Sequence, residues 1–149
     1  MKLPEFLFVI INPMMRLLLC SPLHGILSGS LMLITFRGRN SGREFTTPVR
    51  YIENDGIVRC FTSSENQWWR NLRGGSDVVL RVRGKDGKYH ASTLENDAEQ
   101  TRQWLGYYLE KYPEDAVYHD IRLNKDKSMV EEDFEKALTK AIVVEANPI

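Results

Sequence analysis

The sequence predicts an α+β domain: a small barrel or curled sheet of six mostly antiparallel strands, with helices at both ends. Three observations lead there. β-rich segments recur at short spacing through residues 31–94, hairpin signals join two pairs of them, and helical patterns are confined to the flanks. At 149 residues the chain suits one domain, long enough to bury roughly two thirds of its unfolded surface. We divide it into a helical N-terminal segment (1–29), a barrel core (30–95), a second helical segment (96–140) and a closing strand (141–149).

Residues 3–19 read as one apolar helix, or as two short ones meeting at Pro13. Ser21-Pro22 starts another, with the serine as cap and the proline at the first position, and it ends near Ser28-Gly29. Helices apolar on most faces must cover a core, a partner subunit or a membrane surface, and burial against the domain is the favoured reading. Phe6–Ile11 is too short for the apolar stretch of a secretion signal, Asn12-Pro13 breaks it, and Arg16 interrupts the second apolar run. No segment reaches the ~20 apolar residues that a bilayer span needs.

Leu31–Phe36 is an apolar run of strand length. Thr46–Ile52 and Ile57–Thr62 are β-rich, and Asn54-Asp55-Gly56 between them is a strong hairpin signal. Asp77–Arg83 alternates, with Val78, Leu80 and Val82 on one face and Val79, Arg81 and Arg83 on the other. Lys85-Asp86-Gly87 is read as the turn into Lys88–Leu94. Asp97 is placed to cap a helix over Ala98–Lys111 that Pro113 stops. Glu131–Lys140 forms another helix and Ala141–Ala146 the closing strand.

Net charge is zero, yet its distribution is uneven. Residues 37–85 hold ten Arg and Lys against five Asp and Glu, whereas residues 94–149 hold seven against thirteen. A basic middle points to an anionic ligand. Zero total charge and adjacent rather than spread tryptophans argue against nucleic acid as the partner. Cys20 and Cys60 lack metal or redox spacing, which favours a reducing cytoplasm. His24, His90 and His119 have no ligand spacing, so no metal is expected. No catalytic triad, zinc helix or phosphate-loop pattern appears in the sequence. An enzyme built from it would need a bound cofactor to carry the chemistry.

Two stretches concentrate the chemistry. In Gly38–Arg43, glycines that tolerate positive φ allow backbone N–H groups to converge, beside Arg37, Arg39 and Arg43. Ser41, Thr46 and Thr47 add hydroxyl groups, and arginine offers a planar fork suited to phosphate. In isolation such a turn is better read as a hairpin with solvated arginines. Its weight comes from the second stretch, Trp68–Gly75. Adjacent tryptophans on a helix point about 100° apart, so one belongs in the core and the other walls a pocket. Arg70 and Arg73 share a face, Asn71 can hold a carbonyl, and Ser63 and Ser64 are weaker donors nearby. Tyr107, Tyr108, Tyr112 and Tyr118 suit either amphipathic packing or an aromatic-lined pocket.

The segments GRNSGREFTTPVRY, FTSSENQWWRNLRGG and VVLRVRG closely resemble the deazaflavin-dependent nitroreductase family. The resemblance covers most of the chain. It implies the split β-barrel fold shared with flavin proteins of the pyridoxamine-phosphate-oxidase type. It also implies a deazaflavin coenzyme, F-420, in a groove across the barrel. The basic turn would hold the phosphate and tail, and the W-x-N-L segment would close over the ring. By that likeness the cofactor contacts would be Arg39, Ser41, Gly42, Arg43, Thr46, Thr47 and Pro48, with Ser63, Trp69, Arg70 and Asn71 behind them. Tyr107, Tyr108 and Tyr118 would shape the acceptor pocket. The implied reaction is hydride transfer from the reduced coenzyme to a quinone, a nitro compound or another conjugated acceptor. One position departs from the family pattern: Asn40 stands where a lysine is usual. The lost charge brings FMN, or a non-catalytic binder of flavin, deazaflavin or haem, into consideration. A homodimer and a peripheral membrane contact through the N-terminal helices both stay open.

Overall fold

The computed structural model describes residues 31–95 and 97–149. The helices expected before residue 30 lie outside the described residues. Six strands appear in order: β1 (Leu31–Arg37), β2 (Glu44–Asn54), β3 (Ile57–Ser63), β4 (Ser76–Val82), β5 (Lys85–Leu94) and β6 (Ala141–Pro148). A 3₁₀ helix, Trp68–Leu72, lies between β3 and β4. Between β5 and β6 come α1 (Ala98–Lys111), a second 3₁₀ helix (Pro113–His119) and α2 (Glu131–Leu138). The strands close into a barrel in the order β1-β2-β3-β6-β5-β4, and every neighbouring pair is antiparallel.

The turns explain the register. Asp55 and Gly56 both have positive φ (53° and 80°), the conformation that lets a two-residue hairpin follow the strand twist. The β4–β5 hairpin corrects the sequence reading. Its turn is Arg83-Gly84, again with positive φ at both residues (50° and 80°), and Val82 faces Lys85 across it. Asp86 and Gly87, expected in the turn, pair with Arg81 and Leu80 inside the ladder. β2 also begins two residues early, because Gly42 (φ 67°) already closes the turn, with Gly42 N–H donating to Gly38 O at 2.9 Å.

Alternation along the strands serves two cores. Met32, Ile34, Tyr51, Cys60, Leu80 and Val144 point into the barrel, where Trp69 and Leu72 of the 3₁₀ helix join them. Ile52, next to Tyr51, points outward into a second cluster with Leu105, Tyr108, Leu109 and Phe134 from the helices. Each cluster removes apolar side chains from water on one face of the same wall. Asp97 caps α1 as its position predicts, accepting from Gln100 N–H at 3.1 Å. Pro113 ends that helix and opens the second 3₁₀ helix, which local propensity did not reveal.

Charged ties fasten the helical flank to the barrel. Arg50 forks onto Asp115 with two 3.0 Å bonds, and Tyr108 Oη donates to the same carboxylate at 2.7 Å. Arg59 donates to Glu145 at 2.7 Å and lies 3.7 Å from the Trp104 ring centroid. Because successive strands run in opposite directions, the β1–β2 turn, the β3–β4 connection and the β5–β6 connection all leave from one end of the barrel. That rim carries the candidate site.

Candidate cofactor site at the barrel rim

The basic turn is held from within. Gly38 N–H donates to Arg43 O at 2.8 Å, Arg43 N–H to Ser41 Oγ at 3.2 Å, and Arg37 Nη1 to Gly42 O at 3.3 Å. Ser41 and Arg37 thus shape the loop. A Cβ on Gly38 would stand 2.9 Å from both the Phe45 ring and Ser41 Oγ, so this buried position admits only glycine without a shift. Arg39 and Arg43 extend from the turn in different directions. The Arg43 guanidinium lies 5.9 Å from the Phe45 ring centroid. Arg39 Nη2 lies 3.6 Å from where a Cβ on Gly74 would be.

The 3₁₀ helix supplies the other half. Trp69, 2% exposed, is the core tryptophan, and Trp68 is the half-buried one, tilted against Phe36 at 5.8 Å. The pair divides between core and surface as expected, with Trp69, counted among the cofactor contacts by the family likeness, in the core and Trp68 left half-buried at the rim. Arg70 of the helix and Arg73, the extended residue just past its end, both lie over the Trp69 ring, at 5.6 and 4.9 Å. Arg73 pairs with Glu95 at 2.9 Å. Asn71 joins the two stretches: its Nδ2 donates to Trp68 O at 2.9 Å and its Oδ1 accepts from Arg39 N–H at 3.0 Å.

Other expected residues lie elsewhere. Thr46 shares the outer face with Thr35, their Oγ1 atoms 2.9 Å apart, whereas Thr47 pairs with Ile34 on the inner face. Pro48 pairs with Leu33, back on the outer side. The side chains of the two threonines therefore leave opposite faces of the strand. Ser63 is buried and accepts from Glu65 N–H at 3.2 Å, closing a local turn. Tyr108 is packed away: its ring stacks on Phe61 at 4.3 Å and its hydroxyl bonds Asp115. Burial first, then the neighbouring carboxylate, pushes its pKa up. Tyr107 and Tyr118 are each 42% exposed on the helical flank.

Sequence reasoning missed two features. Gly74 and Gly75 have φ of 83° and 100°, and a Cβ on Gly75 would meet His90 Nε2 at 2.7 Å. The glycine pair was a visible signal; the histidine laid over it was not. An outer groove of about 280 Å³ runs beside the turn, lined by Thr35, Arg37, Glu44, Asp77, Val79, Lys88 and Ile149 among others. It exists because β1 pairs with β4, a closure that no local pattern encodes.

At the rim Arg73 is paired with Glu95 and Arg37 bonds a backbone carbonyl. Among the described residues, the guanidinium groups of Arg39, Arg43 and Arg70 have no hydrogen-bonding or carboxylate partner. Such a set suits a phosphate or carboxylate ligand. No group of metal-ligating side chains occurs among the described residues. Cys60 sits inside the barrel, where burial pushes its thiol pKa up to about 12, so it offers no thiolate.

The F420H(2)-dependent quinone reductase family profile matches residues 21–127. The Mycobacterium tuberculosis protein Rv3178, provisionally described as an F420H(2)-dependent quinone reductase, is 31% identical over 78 residues. That match covers 49% of this chain and 65% of the other protein, just under two thirds of its length. Solved structures share the fold. A chain described as a domain-swapped dimer matches with a TM-score of 0.54 at 20% identity, over 91% of this chain and 96% of its own. HutZ, a haem storage protein from Vibrio cholerae, matches at 0.52 and 12% identity, over 87% and 90%. At these identities the likeness shows the fold, the split barrel, and nothing more. Taken with the rim, the profile match places the chain: it belongs to the F420H(2)-dependent quinone reductase family.

Proposed function

We propose that this protein is an oxidoreductase that passes hydride between a bound deazaflavin coenzyme, F-420, and a small conjugated acceptor, a quinone or a nitro compound. The observation that carries this reading is the set of uncompensated guanidinium groups, Arg39, Arg43 and Arg70, beside half-buried Trp68 at one end of the barrel. Membership of the family and the description of Rv3178 support it.

In this reading the coenzyme supplies the hydride. Arg39 and Arg43 attract its phosphate and acidic tail, and the Gly42 and Gly74 backbones permit close approach. Trp68, with Phe36 and Phe45 stacked 5.8 Å apart behind it, walls the ring and keeps water away. Tyr107 and Tyr118 are the tyrosines left to meet an acceptor. Asn40 carries no charge, which favours FMN, or binding without turnover, as the second reading. We place the protein in the cytoplasm on the strength of its buried free Cys60, as one domain able to pair into a homodimer. No helix among the described residues is long and apolar enough to cross a membrane.

A titration of tryptophan fluorescence with the deazaflavin coenzyme and FMN in parallel tests this. Tight quenching by the deazaflavin, followed by coenzyme oxidation when a quinone is added, is expected. Preference for FMN would replace the donor, and no binding of either would end the enzyme reading.

A further inference from the structure

We propose that Asn71 is a positioning residue: its amide clips the basic turn to the 3₁₀ helix and so aims the Arg39 guanidinium across the rim. The inference rests on the anionic-ligand reading above and deepens it. Both ends of the amide are used, Oδ1 by Arg39 N–H at 3.0 Å and Nδ2 by Trp68 O at 2.9 Å. Only one orientation of the amide satisfies an N–H and a carbonyl together, so the plane of the side chain is set by its partners.

The two sides of the clip differ in firmness. The 3₁₀ helix is anchored, because Trp69 and Leu72 are buried in the barrel at 2% and 0% exposure. The turn beyond the last β1–β2 pair, Arg37 with Glu44, is exposed from Arg39 to Arg43. Asn71 therefore transfers the rigidity of the core to the loop. Arg39 is tied by its backbone to Asn71, and its Nη2 reaches to 3.6 Å from where a Cβ on Gly74 would stand. Arg43, on the same turn, is bonded within the loop to Gly38 and Ser41 and leans on Phe45, with no hydrogen bond of its own to the 3₁₀ helix. Leucine at position 71 would keep the bulk and lose both bonds. Aspartate would still accept from Arg39 N–H but would repel the Trp68 carbonyl.

The test compares wild type with Asn71→Leu, Asn71→Asp, Arg39→Ala and the double variant Arg39→Ala/Asn71→Leu. Backbone amide exchange by NMR, melting temperature and the dissociation constant for the deazaflavin coenzyme are measured on each. In Asn71→Leu we expect faster exchange of the Arg39 amide, about tenfold weaker coenzyme binding and little change in Tm. Asn71→Asp retains the Arg39 protection. If the clip works through Arg39, Asn71→Leu costs no further affinity once Arg39 is alanine. Unchanged Arg39 exchange in Asn71→Leu, or affinity losses that simply add, would overturn the proposal. Failure of wild type to bind the coenzyme would instead sink the functional reading, leaving amide exchange to decide the clip alone.

Discussion

The arginines of the helical flank and those of the rim are the same residue put to opposite uses. On the barrel wall that the flank covers, and on the flank itself, guanidinium groups meet carboxylates: Arg50 with Asp115, Arg59 with Glu145, Arg122 with Asp133. Each pair is combined with ring packing or a further hydrogen bond; Arg50 and Arg59 are largely withdrawn from water, whereas Arg122 stays exposed. At the rim Arg39, Arg43 and Arg70 stand without such partners among the described residues. The ligand role we propose for the three rim arginines rests on this contrast.

Asp115 gives the largest expected break in this contrast. Replacing it with alanine strands the buried Tyr108 hydroxyl and leaves Arg50 only the more distant Glu114, at 3.5 Å, and should cost about 2–3 kcal/mol in urea unfolding. Rim variants such as Arg43→Ala should stay within about 0.5 kcal/mol of wild type in the same assay. Comparable losses from both would erase the distinction.

Affinity should show the reverse pattern. Arg39→Ala and Arg43→Ala are each expected to weaken coenzyme binding about tenfold, near 1.4 kcal/mol, without moving Tm. Wild-type binding should weaken as salt rises, and less steeply in either variant, since exposed charges are screened. A flat salt response would mean that the rim does not read charge.

The smallest effect concerns pH. Asp133 accepts from the Arg122 side chain at 2.7 and 3.1 Å and from its backbone N–H at 2.9 Å, which pulls its pKa from 3.8 to about 2. A carboxylate depressed by folding adds stability that is complete above its unfolded pKa and lost as pH falls through the folded one. The flank should therefore weaken between about pH 4 and pH 2, and Asp133→Asn should flatten that part of the profile. An unchanged acid limb in the variant would show that the Arg122 pair adds nothing.

Much of this was legible locally. The alternation in β4, the Asp55-Gly56 turn and the Asp97 cap are short-range signals, and they hold in the fold. The basic turn and the WWRNLRGG stretch were also readable, because composition alone sets them apart. Which tryptophan enters the core depended on the helix type. In a 3₁₀ helix Trp69 aligns with Leu72, three residues on, and both go inward; that spacing was available as a signal. The Thr46-Thr47 pair shows what motif likeness leaves out, since the pleat sends the two side chains to different faces. Barrel closure through β1 and β4 and the groove beside it come from contacts between segments far apart in sequence, which periodicity cannot carry.

Cys60 also makes the molecule its own gauge. Buried at 1% exposure and with its thiol pushed up to about 12, it can meet a thiol reagent only when the barrel wall parts. With Cys20 replaced by serine, the rate of labelling at Cys60 would count barrel openings directly. A ligand seated on the rim would then announce itself as a slower clock.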